Sequence, residues 1–367
     1  MNLLLEKIVQ TDSWPNADEL LNSFDEVVVF GASQAALYVT EVLRQFDVNV
    51  LYYVDNDPAK NGTQFSGKPV YSADKIYQDK HTVLIASYWA RDIAKQLKAQ
   101  NLQYFDFSFC VDYPRWKNHF DHKHFDVQAA LNYGKQHLSG DDLIAYLGCI
   151  RYRQTFDPLE LSVPQHDHYL CPQALPAESE VYIDGGAWQG DTLLSLKHTF
   201  GDQIQVHSFE PDESNFSKLN QAIEEHKITA AFTNQLALWS QEQTLEFLCS
   251  NDAVHSMQSR VSDDVTEAEQ SIKVNAIDLD SYSKKMNITP TFIKLDVEGA
   301  ELQVIEGAKN ILKEHSPKLA FSAYHEPNHI WEILAAVSEI NPNYQFYFTH
   351  HSQQLIESVI YASVEGR

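Results

Sequence analysis

Residues 181–196 read VYIDGGAWQGDTLLSL: a short apolar run, three glycines within six positions, then apolar residues returning at helical spacing. Strand, tight turn and helix in that order are the unit from which α/β sheets are built. The ordinary occupant of such a turn is a phosphate, because the first amides of a helix lack internal partners and carry the positive end of its dipole. Here Asp184 stands where the strand 181–183 ends and would repel a pyrophosphate at short range. The loop also lacks the Lys-Ser/Thr pair of a Walker loop, and its spacing, Asp184-x-Gly186-x-x-x-Gly190, is not G-x-G-x-x-G. A ligand with a sulfonium and an ammonium beside an adenosine suits it better, since Asp184 can face positive charge while Gly186 lets the backbone approach closely. The loop thus points to S-adenosylmethionine; the alternative is a tight turn that holds no ligand.

The 367 residues suffice for two domains, and 44% hydrophobic with 21% charged residues is an ordinary globular balance. The net charge of −24, with no block of Lys and Arg to offset it, argues against nucleic acid and against adhesion to anionic lipid. The start, MNLLLEKIVQTDSW, places charge at Glu6 and Lys7 and has neither the basic region nor the apolar core of a signal peptide. No apolar run approaches spanning length, so membrane insertion is not expected. Cys110, Cys149, Cys171 and Cys249 are widely spaced and form no C-x-x-C motif, which reads as a reduced, cytoplasmic protein. Homo-oligomerisation is left open.

Along the chain, residues 1–25 read as a helical leader and 26–110 as a Rossmann-like domain, with strands in EVVVFGAS, VNVLYYVDND and HTVLIAS and a helix burying Ala36, Val39, Val42 and Leu43. Residues 111–175 read as a helical and irregular connector. Its His119, His122 and His124, lacking cysteines or an H-x-x-x-H pair, suggest a solvated aromatic linker before a metal site, and His166 with His168 is read the same way. No metal is expected. In 176–367 strand and helix alternate again: VYIDGG, VHSFEP followed by a helix from Asp212 to about Glu225, AAFTNQLALW, FIKLDVEG, KLAFSAYH, YQFYFTHH and SVIYAS. The last two are too close for a right-handed crossover and should pair antiparallel. A doubly wound sheet ending in an antiparallel hairpin is the class I methyltransferase arrangement, here preceded by the smaller Rossmann-like domain. The long segment after the third strand reads as two further strands, LEFLCS and SIKVNAI, around a polar middle in which His255, Ser256, Ser259 and Arg260 are candidates for substrate recognition.

Glu210 ends the second strand, twenty-six positions after Asp184. A carboxylate there accepts hydrogen bonds from both hydroxyls of a ribose, whether of NAD or of S-adenosylmethionine. Together with Asp184 it favours the sulfonium cofactor, although two acids at strand ends could also merely cap helices. Around Ala237, in NQLAL, an adenine edge would meet backbone amides. In the fourth strand, alternation puts Lys294 and Asp296 on one face, with Asp296 at the carboxyl end where open α/β sheets bind ligands. Glu298 and Glu301 have a ready explanation as acids complementing a helix dipole.

DGGAWQGDT, SFEPD, IKLDVEGAE with the following VIEGAKNIL, and ESVIYA together resemble the FkbM family of S-adenosylmethionine-dependent methyltransferases, in order from about Tyr169 to Ala362. The resemblance implies methyl transfer to a hydroxyl of a sugar, glycan or related metabolite. It implies that Asp184, Gly186, Gln189, Gly190, Asp191, Thr192 and Glu210 line the cofactor site, that Asp296 and Glu298 stand at the catalytic end, and that Tyr169 covers the cofactor. Gly185 departs from the larger apolar residue of many members. VVVFGASQAA and YYVDNDPAKNGTQFSGKPV resemble the nucleotide-binding-like domain found ahead of sugar-modifying enzymes, but Gly31-Ala32-Ser33 keeps only the first glycine of the dinucleotide fingerprint, while Asp55 occupies the ribose position.

Two rival readings remain at this level: an NAD-dependent nucleotide-sugar oxidoreductase using the N-terminal domain, and a noncatalytic module that only binds S-adenosylmethionine. For the transferase, a base must take the hydroxyl proton. His325, in SAYHEP after the fifth strand, is better matched to neutral pH than Asp296, which would orient the acceptor or the cofactor amine, with Lys294 keeping it ionised; the alternative is that His325 is a helix-entry histidine bonding local backbone.

Overall fold

The valine run of EVVVF is apolar on both faces, as a strand covered by helices on both sides requires, and Val27, Val28 and Val29 are fully buried. It forms β1 (Glu26–Phe30) of a six-stranded sheet with β2 (Asn49–Val54), β3 (Gln64–Phe65), β4 (Lys68–Tyr71), β5 (Val83–Ile85) and β6 (Tyr104–Asp106). The order is β3-β4-β2-β1-β5-β6, parallel throughout except for the β3/β4 hairpin. The helix Gln34–Gln45 buries Ala36, Val39, Val42 and Leu43, the side that its spacing predicts. The computed structural model describes residues 2–9, 14–177, 179–249, 260–261 and 270–365. It divides into two compact units, Met1–Pro164 with Thr349–Ser358, and Gln165–Phe348 with Val359–Arg367.

The stretch after β6 corrects the expectation of a solvated linker. Phe107, Phe109, Phe120 and Phe156 stack on one another, with ring centroids 4.3 Å apart for Phe109 and Phe120 and 4.5 Å for Phe120 and Phe156. His119 is fully buried beside them, and the helix Gly140–Thr155 is buried on most of its surface. The aromatic residues that made the segment look irregular form a buried stack within the N-terminal unit. Burial of such rings, each removing 150–250 Å² from water, outweighs the polar residues between them.

The second unit is built on a seven-stranded sheet. Its strands are β7 (Val181–Gly185), β8 (Gln205–Phe209), β9 (Ala231–Asn234), β14 (Phe292–Leu295), β15 (Lys318–Ser322), β16 (Gln345–His350) and β17 (Ser358–Ser363). They lie in the order β16-β17-β15-β14-β7-β8-β9, with β7, β8, β9, β14 and β15 parallel and β17 antiparallel to β15. This is the doubly wound methyltransferase order expected. A separate four-stranded sheet, β10-β13-β11-β12, is made by β10 (Ala237–Leu238), β11 (Gln243–Cys249), β12 (Arg260–Val261) and β13 (Gln270–Ile277). The two strands read from LEFLCS and SIKVNAI are β11 and β13, paired antiparallel. The run AAFTNQLALW is not one strand: it leaves the main sheet after Asn234 and joins the small sheet at Ala237. His255, Ser256 and Ser259 lie outside the described residues, and of Arg260 only the backbone is described. Among the described residues, no helix is long and apolar enough to cross a membrane.

Candidate functional site

β7 and β14 are neighbours, and the chain leaves them toward opposite sides of the sheet, β7 to β8 and β14 to β15. Their carboxyl ends therefore border a crevice at the point where an open α/β sheet binds its ligand. The glycine loop follows β7. Gly186 has φ +73°, and a Cβ there would stand 1.8 Å from the Asp296 carbonyl oxygen, so only glycine fits. The close approach that this requires is to the backbone after β14. The Gly186 and Ala187 amides donate to Phe209 O at 3.0 and 2.9 Å, which ties the loop to the end of β8. Gly190, at φ +93°, opens the helix Asp191–Phe200. Three non-glycine residues at this end also take left-handed conformations: Tyr169, Trp188 and Glu298, at φ 61°, 45° and 57°. Such geometry persists only where surrounding contacts enforce it, and it concentrates at functional sites.

Asp184 does not face the crevice as the sequence reading had it. It is fully buried, and its Oδ1 lies 3.0 Å from Lys294 Nζ, itself 2% exposed. The two residues are register partners on β7 and β14, so their side chains rise on the same face and meet. The remaining Lys294 hydrogens go to Gly185 O at 3.2 Å and Gly186 O at 2.8 Å. Burial alone would push the ammonium down, but Asp184, Asp296 and Asp191 together push it up. Asp184 and Lys294 are the internal brace of the glycine loop.

Glu210 is held in place by backbone amides. It is 7% exposed, and its oxygens accept the amides of Trp188 and Asp212, both at 2.9 Å. Each oxygen keeps acceptor capacity for one more donor. Burial pushes the carboxyl up to about 7 against the pull of those amides.

The third part of the site surrounds Asp296, which is partly exposed. Tyr169 donates to its Oδ2 at 2.8 Å and Tyr324 to its Oδ1 at 3.2 Å, while His325 Nε2 stands 3.3 Å from Oδ1. Burial would raise the Asp296 carboxyl, but His325 and Lys294 hold it below the usual range. Behind it, His325 Nδ1 meets Oε1 of the fully buried Glu301 at 2.8 Å, and His329 Nδ1 stands 3.1 Å from Oε2 of the same carboxylate. Glu301 also accepts the Val297 amide at 3.0 Å, fixing the turn that carries Glu298. Burial would depress the imidazolium of His325, yet Glu301, Glu298 and Asp296 push it up to about 9. Those three carboxylates favour the protonated imidazole, a form with no lone pair to accept a proton, which runs against the expectation of His325 as general base.

Glu301, His329, Tyr324 and Ser322, the last 3.0 Å from the Tyr169 hydroxyl, were not singled out as site residues. Glu301 looked like a dipole acid; its spacing to Asp296 gave the only hint. Tyr169 is buried, with its ring over Lys294 Nζ at 5.1 Å and His168 stacked on it at 3.9 Å, so it braces the Asp296 end. Burial pushes the His168 imidazole down to about 4. Gln189 Nε2 reaches Asn215 Oδ1 at 3.5 Å, Thr192 is buried in the first turn of its helix, and Asp191 is exposed there. Ala237 packs in the core of the small sheet with Leu245, Val274 and Ala276.

Residues 184–355 match the family described as the methyltransferase FkbM domain. The chain carries an FkbM methyltransferase domain. Residues 23–104 match the family described as C2185-like, N-terminal. No functionally curated protein matches the sequence. Among solved structures, the methyltransferase FkbM from Methylobacillus flagellatus KT aligns over 98% of this chain and 97% of its own, with a TM-score of 0.72 and 17% identity. That likeness shows a shared fold. A fibrillarin from Aeropyrum pernix, in complex with natively bound S-adenosyl-L-methionine, aligns over 50% of this chain and 66% of its own at TM-score 0.33 and 10% identity. UDP-D-quinovosamine 4-dehydrogenase from Vibrio fischeri aligns over 25% of this chain and 86% of its own at TM-score 0.22 and 23% identity.

In the FkbM domain, Gly185 has its own reason: a Cβ there would meet Leu295 at 2.9 Å and Leu238 at 3.0 Å. The N-terminal unit treats its carboxylate differently. Asp55 Oδ2 accepts the Ala32 amide at 2.9 Å and pairs with Lys60 at 2.8 Å, while Oδ1 accepts the Asp57 amide at 2.9 Å, so at most one acceptor site is left where a ribose diol needs two. Saturation-transfer NMR of the whole chain with micromolar NAD or NADP should accordingly show no nicotinamide signal; a clear one would revive the oxidoreductase reading.

Proposed function

We propose that the FkbM domain transfers a methyl group from S-adenosylmethionine to a hydroxyl of a sugar, glycan or related metabolite. The observation that carries this reading is Glu210, a nearly buried carboxylate whose two oxygens are each aligned by one loop amide at 2.9 Å and each retain an acceptor site. That pair of acceptor sites fits a ribose diol, whose hydroxyls donate. The loop amides of Gly186, Ala187 and Trp188 are already taken by Phe209 O and Glu210, so the loop offers little to a pyrophosphate. With Asp184 neutralised by Lys294, the carboxylates of Glu210, Asp191 and Asp296 still leave this end of the sheet acidic, which suits a cationic ligand.

When bound, S-adenosylmethionine supplies an electrophilic methyl on a sulfonium. Glu210 holds the ribose, and the loop from Gly186 to Gly190 shapes its bed. Asp296 orients the acceptor hydroxyl and takes its proton. Two tyrosine hydroxyls and the His325 cation fix its carboxylate, and its partial exposure leaves it room for one more donor. A carboxylate of ordinary or lowered pKa can serve, because the hydroxyl proton becomes strongly acidic as the new bond to carbon forms. Glu298, on the strained turn beside it, lies 3.8 Å from His325 Nε2 and adds to the charge that keeps the imidazolium protonated.

Each lost charge-assisted hydrogen bond is worth about 1.5–3 kcal/mol. Glu210→Ala should therefore weaken S-adenosylmethionine binding at least about tenfold by calorimetry. Because the ionised form is the acceptor and its carboxyl sits at about 7, wild-type affinity should also fall as pH drops through 7. Glu210→Gln should abolish that slope. Unchanged affinity in Glu210→Ala would remove the assignment.

A further inference from the structure

Trp188 stands in the middle of the glycine loop, between Gly186 and Gly190, and keeps a left-handed backbone at φ 45° although it is not a glycine. Its amide helps to enforce that conformation by donating to Glu210 Oε2 at 2.9 Å. The side chain is half-buried, and its indole Nε1 is buried with no hydrogen-bond partner among the described residues. A buried tryptophan N–H usually has a partner, because leaving it unpaired forfeits the bond it made to water. The residue that carries this orphaned donor belongs to the loop proposed to bed S-adenosylmethionine, and nothing in the methyl-transfer reading has yet used it.

Glu210 follows β8 and Asp296 follows β14, the strands on either side of β7. A cofactor whose ribose meets the first and whose methyl faces the second therefore spans the loop after β7. S-adenosylmethionine carries one anion, its α-carboxylate, beside two cations, the sulfonium and the ammonium. Glu210, Asp191 and Asp296 suit the cations and repel the anion. A lysine or arginine would answer the carboxylate but would also repel the sulfonium. A neutral N–H answers it without adding charge, and sheltered from water such a bond is strong. Within the loop the amides of Gly186, Ala187 and Trp188 are already committed to Phe209 O and Glu210, and Lys294 to Asp184, Gly185 O and Gly186 O. We infer that the Trp188 indole N–H binds the α-carboxylate of the cofactor, so that Trp188 reads the amino-acid arm where Glu210 reads the ribose. This inference rests on S-adenosylmethionine being the ligand of the site.

Trp188→Phe keeps an aromatic ring at the position and removes the N–H. The test is calorimetry on the full chain with S-adenosylhomocysteine, which has both ribose and carboxylate, and with decarboxylated S-adenosylmethionine and 5′-methylthioadenosine, which have the ribose and lack the carboxylate. Trp188→Phe should bind S-adenosylhomocysteine at least about tenfold more weakly than wild type and bind the other two as wild type does. Glu210→Ala should weaken all of them, since all carry the ribose. In proton–nitrogen NMR of the wild type, the Trp188 indole N–H is identified by its absence from the Trp188→Phe spectrum. It should move downfield on adding S-adenosylhomocysteine and not on adding 5′-methylthioadenosine. The inference is overturned by equal S-adenosylhomocysteine affinity in Trp188→Phe and wild type, by a loss shared equally among the probes, or by an indole resonance that S-adenosylhomocysteine leaves in place. Failure of S-adenosylhomocysteine to bind the wild type would overturn the methyl-transfer reading along with it, whereas binding that survives Trp188→Phe unchanged overturns this inference alone.

Discussion

Lys294→Met should destabilise the protein by about 3–5 kcal/mol, because it leaves the fully buried Asp184 without its counterion and strips two loop carbonyls of their donor. Adding Asp184→Asn should restore most of that loss, since a neutral amide in the same place is cheaper to bury than an unpaired carboxylate. Urea unfolding of the two single variants and the double variant closes the cycle. If the double variant is as unstable as the sum of the singles, the pair is not coupled and the brace is not what holds the loop. Loosening that brace should also weaken S-adenosylmethionine binding, because the carbonyls of Gly185 and Gly186 that Lys294 holds lie within the loop proposed to bed it.

The second large effect is expected at His325. A base of ordinary imidazole pKa would give the rate an acidic limb at pH 6 to 7; a histidine raised to about 9 by Glu301, Glu298 and Asp296 should give none there. At saturating S-adenosylmethionine, where the Glu210 titration no longer limits binding, activity should instead hold through neutral pH and fall as pH passes 9, when the cation that fixes Asp296 is lost. His325→Gln should lower the rate on the order of tenfold to a hundredfold and remove the alkaline limb. Asp296→Asn should be nearly inactive at every pH. The stability effect has the same sign. The folded histidine titrates above its unfolded value near 6.5, so its contribution, about 3 kcal/mol, is complete below pH 6.5 and disappears as pH rises through 9. Glu301→Gln should return the His325 titration toward the ordinary range, which imidazole proton shifts in NMR would report without any acceptor. An acidic limb at pH 6 to 7 that disappears in His325→Gln would make His325 the base after all.

What the sequence could show follows from what is local. The glycine loop, the acid at the end of β8 and the alternation that sets Lys294 and Asp296 on one face depend on neighbours within a few positions, and they are where the spacing put them. The partner of Asp184 was not legible, because it is chosen by the pairing of β7 with β14 across more than a hundred residues of intervening chain. The same holds for His325: its ordinary pKa could be assigned from residue type, but the three carboxylates that change it arrive from the turn after β14. Glu301 illustrates the difference most plainly, since an acid in a first helical turn has a sufficient local explanation that conceals its longer-range contact. In the N-terminal unit, Phe107, Phe109, Phe120 and Phe156 are interleaved with polar residues and follow no single period, so nothing in the pattern announces their stack.

The N-terminal unit includes Thr349–Ser358, a segment encoded almost at the far end of the chain. Gln353 and Gln354 within it bond the backbone at Arg91 and Ser87. During synthesis, therefore, the first unit to leave the ribosome cannot reach its final form until nearly everything after it has been translated. A fragment stopping at Pro164 would meet proteases with the Ser87 to Arg91 turn untethered, so limited digestion of that fragment should cut there before it cuts the full chain.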